Sequence, residues 1–116
     1  MPHIDLKNDL PGIRSAMAYS PATAEPMSAL AEILLRSNNG LPRAERELIA
    51  TYVSYLNDCF YCHNSHGEIA CIYLDGDRDL VNHIRSHYES ADISDKLKSL
   101  LTIAGKVQKK WKVCNY

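Results

Sequence analysis

The residues best equipped for chemistry lie in one short segment, Cys59-Phe60-Tyr61-Cys62-His63-Asn64-Ser65-His66, with Glu47 twelve positions ahead of its first cysteine. If a helix begins at Cys59, Cys62 follows at i+3 and His66 lies at i+4 from Cys62, so the two sulfurs face one side within reach of a disulfide. An imidazole one turn below a thiol, together with the positive end of the helix dipole, is the arrangement that makes a thiolate near neutral pH. A carboxylate is then needed to orient the histidine and take up its charge. Glu47 is available if its helix and the cysteine helix pack antiparallel.

The elements that must hold these residues all read as helical. The five prolines, Pro2, Pro11, Pro21, Pro26 and Pro42, fall within the first 42 residues, which leaves the rest of the chain free for long helices. Pro11 predicts the opening of a short helix through Met17. Ser20-Pro21 predicts the N-cap and first position of a second, which carries Met27, Leu30, Ala31 and Leu34 at helical spacing and stops at Asn39-Gly40. A third opens at Pro42, with a core stripe of Ile49, Val53 and Leu56 beside Leu48 and Tyr52, and a separate stripe of Glu47, Thr51 and Ser54. Asp58 predicts the N-cap of a fourth helix beginning at Cys59 and running through Ile69, Ile72 and Tyr73 to Asp75-Gly76. Asp77 starts a fifth with Leu80, Val81 and Ile84. Ser94 caps a sixth whose Leu97, Leu100, Leu101, Ala104, Val107 and Trp111 share a face. No stretch alternates with period two long enough for a sheet, and no repeat or low-complexity tract is present.

Composition bounds the function. The chain has 116 residues with 46% hydrophobic and 23% charged, the size and makeup of a single globular domain, here taken as residues 1–116. Thirteen Lys and Arg against fourteen Asp and Glu leave no charge excess to follow a phosphate backbone or an anionic bilayer, so neither nucleic acid nor membrane is an expected partner. The start, Met1-Pro2-His3-Ile4, lacks the pattern of a signal peptide, which gives a cytoplasmic expectation. In that reducing compartment four cysteines point to redox chemistry or metal binding rather than to a disulfide framework.

Two metal readings compete for the cysteines. Cys-x-x-Cys-His at positions 59–63 matches a covalent haem attachment pattern, but that attachment needs export, and Met1, Met17 and Met27 all precede it. Cys59, Cys62, His66 and Cys71 approximate a zinc-knuckle spacing. On a continuous helix Cys71 would lie roughly 13 Å from Cys62, too far for one tetrahedral site. Cys71 and Cys114 are expected to be buried small hydrophobes or spare thiols. His3, His83 and His87 are read as surface or capping residues, Glu45 and Glu68 as solvated carboxylates, and Lys106, Lys109, Lys110 and Lys112 as the cationic end of the last helix.

Glu47, Cys59, Cys62 and His66 form a Glu-x11-Cys-x-x-Cys-x-x-x-His pattern. With Leu10-Pro11-Gly12-Ile13-Arg14, Ala29 to Leu35 and Arg46 to Ala50 as context, it resembles the alkylhydroperoxidase D-like branch of the carboxymuconolactone decarboxylase superfamily, in its peroxidase-related subgroup, from about Leu10 to Lys106. The resemblance implies an all-α, homo-oligomeric fold of about six helices and a thiol-dependent peroxidase or disulfide reductase that needs no cofactor or metal. By the family's pattern Cys62 would attack the hydroperoxide, Cys59 would resolve the sulfenic acid, and Glu47 with His66 would relay protons. A dithiol donor, thioredoxin-like or a lipoyl protein, would recycle the pair. Superfamily members that decarboxylate a lactone generally lack the two cysteines, and a non-catalytic redox-sensing oligomer is the alternative of another class. Members often carry a histidine just before the second cysteine, where this chain has Tyr61, with His63 after it. Relatives in the subgroup also continue with further helices beyond the position of Tyr116, so an oligomer interface is expected to cover what those helices would bury.

Overall fold

The computed structural model describes residues 3–38 and 40–113, with side chains as far as residue 110. Six helices make up the architecture: α1 (Ile13–Tyr19), α2 (Pro21–Arg36), α3 (Arg43–Leu56), α4 (Phe60–Tyr73), α5 (Arg78–His87) and α6 (Asp95–Val113), with a 3-10 turn at Tyr88–Ser90 after α5. Among the described residues there is no strand, as the period analysis predicts. No helix of the described residues is long and apolar enough to cross a membrane.

By its internal contacts the chain divides into two compact units, Met1–Asn39 and Gly40–Tyr116. In the first, α1 does not open at Pro11. Its N-cap is Gly12, whose φ of 58° lies in the left-handed region that glycine tolerates, so the proline ends the preceding strap instead. Ser20 and Pro21 do begin α2, which runs on through Pro26 and ends at Arg36. The expected stop at Asn39 lies outside the described residues. No residue of α2 is buried; Met27, Leu30, Ile33 and Leu34 are all exposed.

The second unit holds the core, formed by Leu48 and Tyr52 of α3, Ala70 and Cys71 of α4, Val81 and Ile84 of α5, Tyr88 and Ala91 beyond it, and Leu97 and Leu101 of α6. The α3 stripe packs as its period requires, with Ile49 and Leu56 flanking the core. On α6 the expected face turns away after Leu101. Val107 is exposed, whereas Gly105 and Gln108 are buried, because α3 approaches at Gly105, which lies against Tyr52, and at Gln108, which bonds to Leu56 and Asn57. The side chains of Trp111 and Lys112, and all of Cys114, fall outside the description.

Helices α3 and α4 form an antiparallel hairpin. Arg43 at the start of α3 donates to the Tyr73 hydroxyl at the end of α4 at 2.6 Å, while Tyr55 near the end of α3 meets His63 near the start of α4. Their connection explains why the cysteine helix starts one residue later than expected. Asp58, with φ of 55°, is the left-handed residue that closes α3: its N–H bonds Tyr55 O at 3.0 Å and Cys59 N–H bonds Ser54 O at 3.1 Å, the paired bonds of a Schellman motif. Used in that way, Asp58 cannot be the N-cap of α4. The cap passes to Cys59, whose Sγ accepts from Cys62 N–H at 3.3 Å.

Candidate active site

The site is built from the facing sides of this hairpin. Cys59 at the cap and Cys62 in the first turn are joined as a disulfide with their Cα atoms 5.3 Å apart. The one-residue shift therefore leaves the pairing intact and places Cys59 Sγ on the Cys62 N–H at the helix start, where anions are favoured.

His66 follows one turn after Cys62 on the same helix, and its Nδ1 lies 2.7 Å from Oε2 of Glu47. Glu47 is only 1% exposed and His66 28%, so the carboxylate sits in the protein and the imidazole opens toward solvent. Of the Glu47, Thr51 and Ser54 stripe of α3, Glu47 and Thr51 are buried and Ser54 is half-buried. Thr51 is fully buried and satisfies its hydroxyl on the Glu47 carbonyl at 2.7 Å. The four residues selected by spacing, Glu47, Cys59, Cys62 and His66, are thus gathered on two adjoining helices.

Cys71 is buried and free, in the core rather than at the site. Among the described residues no group of three or more His, Cys, Asp or Glu is placed to hold a metal ion. His83 and His87 are exposed and pair with the Ser90 and Ser86 hydroxyls. Glu68 is exposed and paired with Arg78, whose guanidinium holds its carboxyl below the usual range, and Glu45 is half-buried rather than fully solvated.

Sequence reasoning missed the surroundings of His63. Its ring meets the edges of Tyr55 from α3 and Phe60 from α4, each at 5.6 Å between centroids. Arg85 of α5 donates to the His63 carbonyl at 3.1 Å and to Asn64 Oδ1 at 3.5 Å, and is itself tied to Asn82 at 3.0 Å. Burial, and then the Arg85 charge, pushes the His63 imidazole below its ordinary value. Room for that guanidinium comes from Gly67, where a Cβ would lie 2.5 Å from Arg85 Nη2. A glycine inside a helix, costing about 1 kcal/mol against alanine, was the signal available in the sequence.

The carboxymuconolactone decarboxylase family profile matches residues 21–72. Two solved structures are similar across 90% of the chain, each with a TM-score of 0.77. One, at 29% identity, is an alkylhydroperoxidase AhpD core described as an uncharacterized peroxidase-related protein from Ralstonia eutropha JMP134, and the other, at 28%, is an uncharacterized peroxidase-related protein from Silicibacter sp. TM1040. The chain spans 54% and 55% of their lengths. No curated protein matches the chain.

Proposed function

The chain belongs to the alkylhydroperoxidase D-like and carboxymuconolactone decarboxylase superfamily, and from that premise we propose that it is a thiol-dependent peroxidase or disulfide reductase acting on hydroperoxides. The observation that carries this reading is the Cys59–Cys62 disulfide at the start of α4, one turn from a histidine held by a buried glutamate. In the reduced protein Cys62 attacks the terminal oxygen of the hydroperoxide. The O–O bond breaks, the alkoxide leaves as an alcohol with a proton delivered through His66 and Glu47, and Cys62 becomes a sulfenic acid. Cys59 then displaces water to form the disulfide. An external dithiol, thioredoxin-like or lipoyl-bearing, restores both thiols by exchange. The exposed apolar side chains of α2 support assembly with further copies, and the cycle suits a reducing cytoplasm.

Peroxide consumption by wild type and Cys62→Ser, with several small and protein dithiols, tests the proposal. Donor-dependent turnover by wild type that Cys62→Ser lacks is expected. A single stoichiometric oxidation with every donor and no turnover would leave a redox sensor in its place.

A further inference from the structure

His63 carries an imidazole for which the four-residue relay has no use. Its Nδ1 is fully buried and has no hydrogen-bond partner, the kind of orphan that native proteins seldom retain without a purpose. His63 is to Cys59 what His66 is to Cys62: the residue four positions on. Its N–H makes the first bond of α4, to the Cys59 carbonyl at 3.0 Å, so helical geometry is already established between the two positions.

We infer that His63 is the proton acceptor for Cys59, serving the thiol that closes the disulfide as His66 serves Cys62. In the disulfide Cys59 has no proton to give, and His63 Nδ1 is without a hydrogen-bond partner, as this assignment requires. In the reduced state the Cys59 thiol is the donor that the nitrogen lacks. When Cys59 attacks the sulfenic acid, His63 takes the thiol proton, the new S–S bond forms and the S–O bond of Cys62 breaks. The departing hydroxide takes up a proton that the partly exposed His66 has drawn from solvent and leaves as water, and His63 returns its proton to solvent. Sulfenic acid and thiol thus give disulfide and water, with no outside oxidant or reductant in this step.

An acceptor works as the neutral imidazole, the form that the surroundings of His63 favour. The rings of Tyr55 from α3 and Phe60 from its own helix meet it edge-on, and Arg85 from α5 is held on the His63 carbonyl and on Asn64. Arg85 is the charge that bears on its ring, and it disfavours the imidazolium. Arg85 is accordingly a positioning residue, held by Asn82 and admitted by Gly67.

The inference rests on the peroxidase reading for its place in a cycle, but its test uses no peroxide. The reduced full chain, with Cys71 and Cys114 changed to alanine, is mixed with Ellman's reagent. A first release of chromophore reports the mixed disulfide and a second reports closure by the other cysteine. Comparison of Cys59→Ser with Cys62→Ser identifies which thiol reacts first, and Cys62 is expected. His63→Gln should slow the second release relative to the first by about 10- to 100-fold, the lower range for loss of a positioned base. In wild type the closure rate should fall on the acid side as His63 gains its proton, and in Arg85→Met that fall should move to higher pH, a shift that a merely structural role would not produce. Should His63→Gln fail to fold, the Arg85→Met profile decides the matter. An unchanged profile in Arg85→Met, closure in His63→Gln at the wild-type rate, or first reaction at Cys59 would each overturn the assignment. Absence of peroxide turnover with intact His63-dependent closure would remove only the peroxidase reading.

Discussion

Nδ1 of His66 and Oε2 of Glu47 stand 2.7 Å apart across the α3–α4 hairpin, although 19 positions separate the residues in the chain. The glutamate is almost wholly enclosed and the histidine is not, so the pair is an interior acceptor that fixes a ring whose other edge is open. A carboxylate removed from water is costly unless it is partnered, which gives this contact a structural duty as well as a chemical one.

Those two duties separate under mutation. Glu47→Gln keeps a hydrogen-bonding group at the position but removes the negative charge facing His66, on which the proposed relay to Cys62 depends. Alkylation of reduced Cys62 at pH 7 should slow by about 5- to 150-fold, equivalent to about 1 to 3 kcal/mol. Glu68→Gln, on an exposed carboxylate, should react like wild type, and Glu45→Gln should do the same. His66→Ala should instead lower stability to denaturant by about 1 to 3 kcal/mol, less than for a fully enclosed pair because the histidine is partly open. Equal alkylation rates in all three Gln variants would reduce Glu47 to a structural residue.

What could be read from the sequence was the periodic part. Helix identity, the Leu48 and Tyr52 face and the Asp77 cap follow from spacing, because helical geometry maps sequence separation directly onto a face, whereas the meeting of Glu47 with His66 depends on the antiparallel packing of α3 on α4, which spacing leaves open. Misplaced features depended on competition between neighbouring elements. Asp58 is a good cap by type, yet closing α3 claimed it first and moved the start of α4 to Phe60. Val107 fits the α6 stripe by type, yet Gln108 is the residue that faces α3. The Arg85 contact with the His63 carbonyl joins two helices through a main-chain atom, and side-chain patterns carry no record of main-chain acceptors.

His63 gives the fold an acid-side weakness. Burial and Arg85 hold its folded-state pKa below the ordinary 6.5, so between those two values the unfolded chain binds more protons than the folded one. The contribution of this residue to stability therefore rises with pH through that window and is lost on acidification. His63→Gln removes the titration, so the variant should gain on wild type as pH is lowered from about 7 to about 5 in parallel urea titrations. A constant difference between the two proteins across that range would show that His63 titrates alike in both states.

At Gly105 α6 comes close to α3. A Cβ there would lie 2.9 Å from the Tyr52 hydroxyl and 3.4 Å from its ring. Tyr52 cannot easily yield, being buried and set edge-on to Tyr88 at 5.1 Å. Gly105→Ala gains about 1 kcal/mol of helix propensity but incurs overpacking of about 1 to 3 kcal/mol, so a small net loss in thermal stability is expected. Tyr52→Phe deletes the closest atom. In that background Gly105→Ala should become neutral or stabilising, and a double-mutant cycle without coupling would refute the steric account.

Gln108 ties α6 to the turn that delivers Cys59. Its Nε2 donates to the Leu56 carbonyl at 3.1 Å and to Asn57 Oδ1 at 3.0 Å, and the residue is 6% exposed. Leu56, the last residue of α3, and its C-cap Asn57 lie three and two positions before Cys59, so the amide braces the reversal from outside the hairpin. Gln108→Leu fills a similar volume but removes the two hydrogen bonds that the amide donates, at a cost of about 0.5 to 1.5 kcal/mol each. A looser turn should also make Cys59 less well placed, so disulfide closure in the reduced protein should slow more than first alkylation of Cys62. Measured together, a stability loss with unchanged closure would confine Gln108 to holding the helices, and no loss of either kind would remove it as a brace.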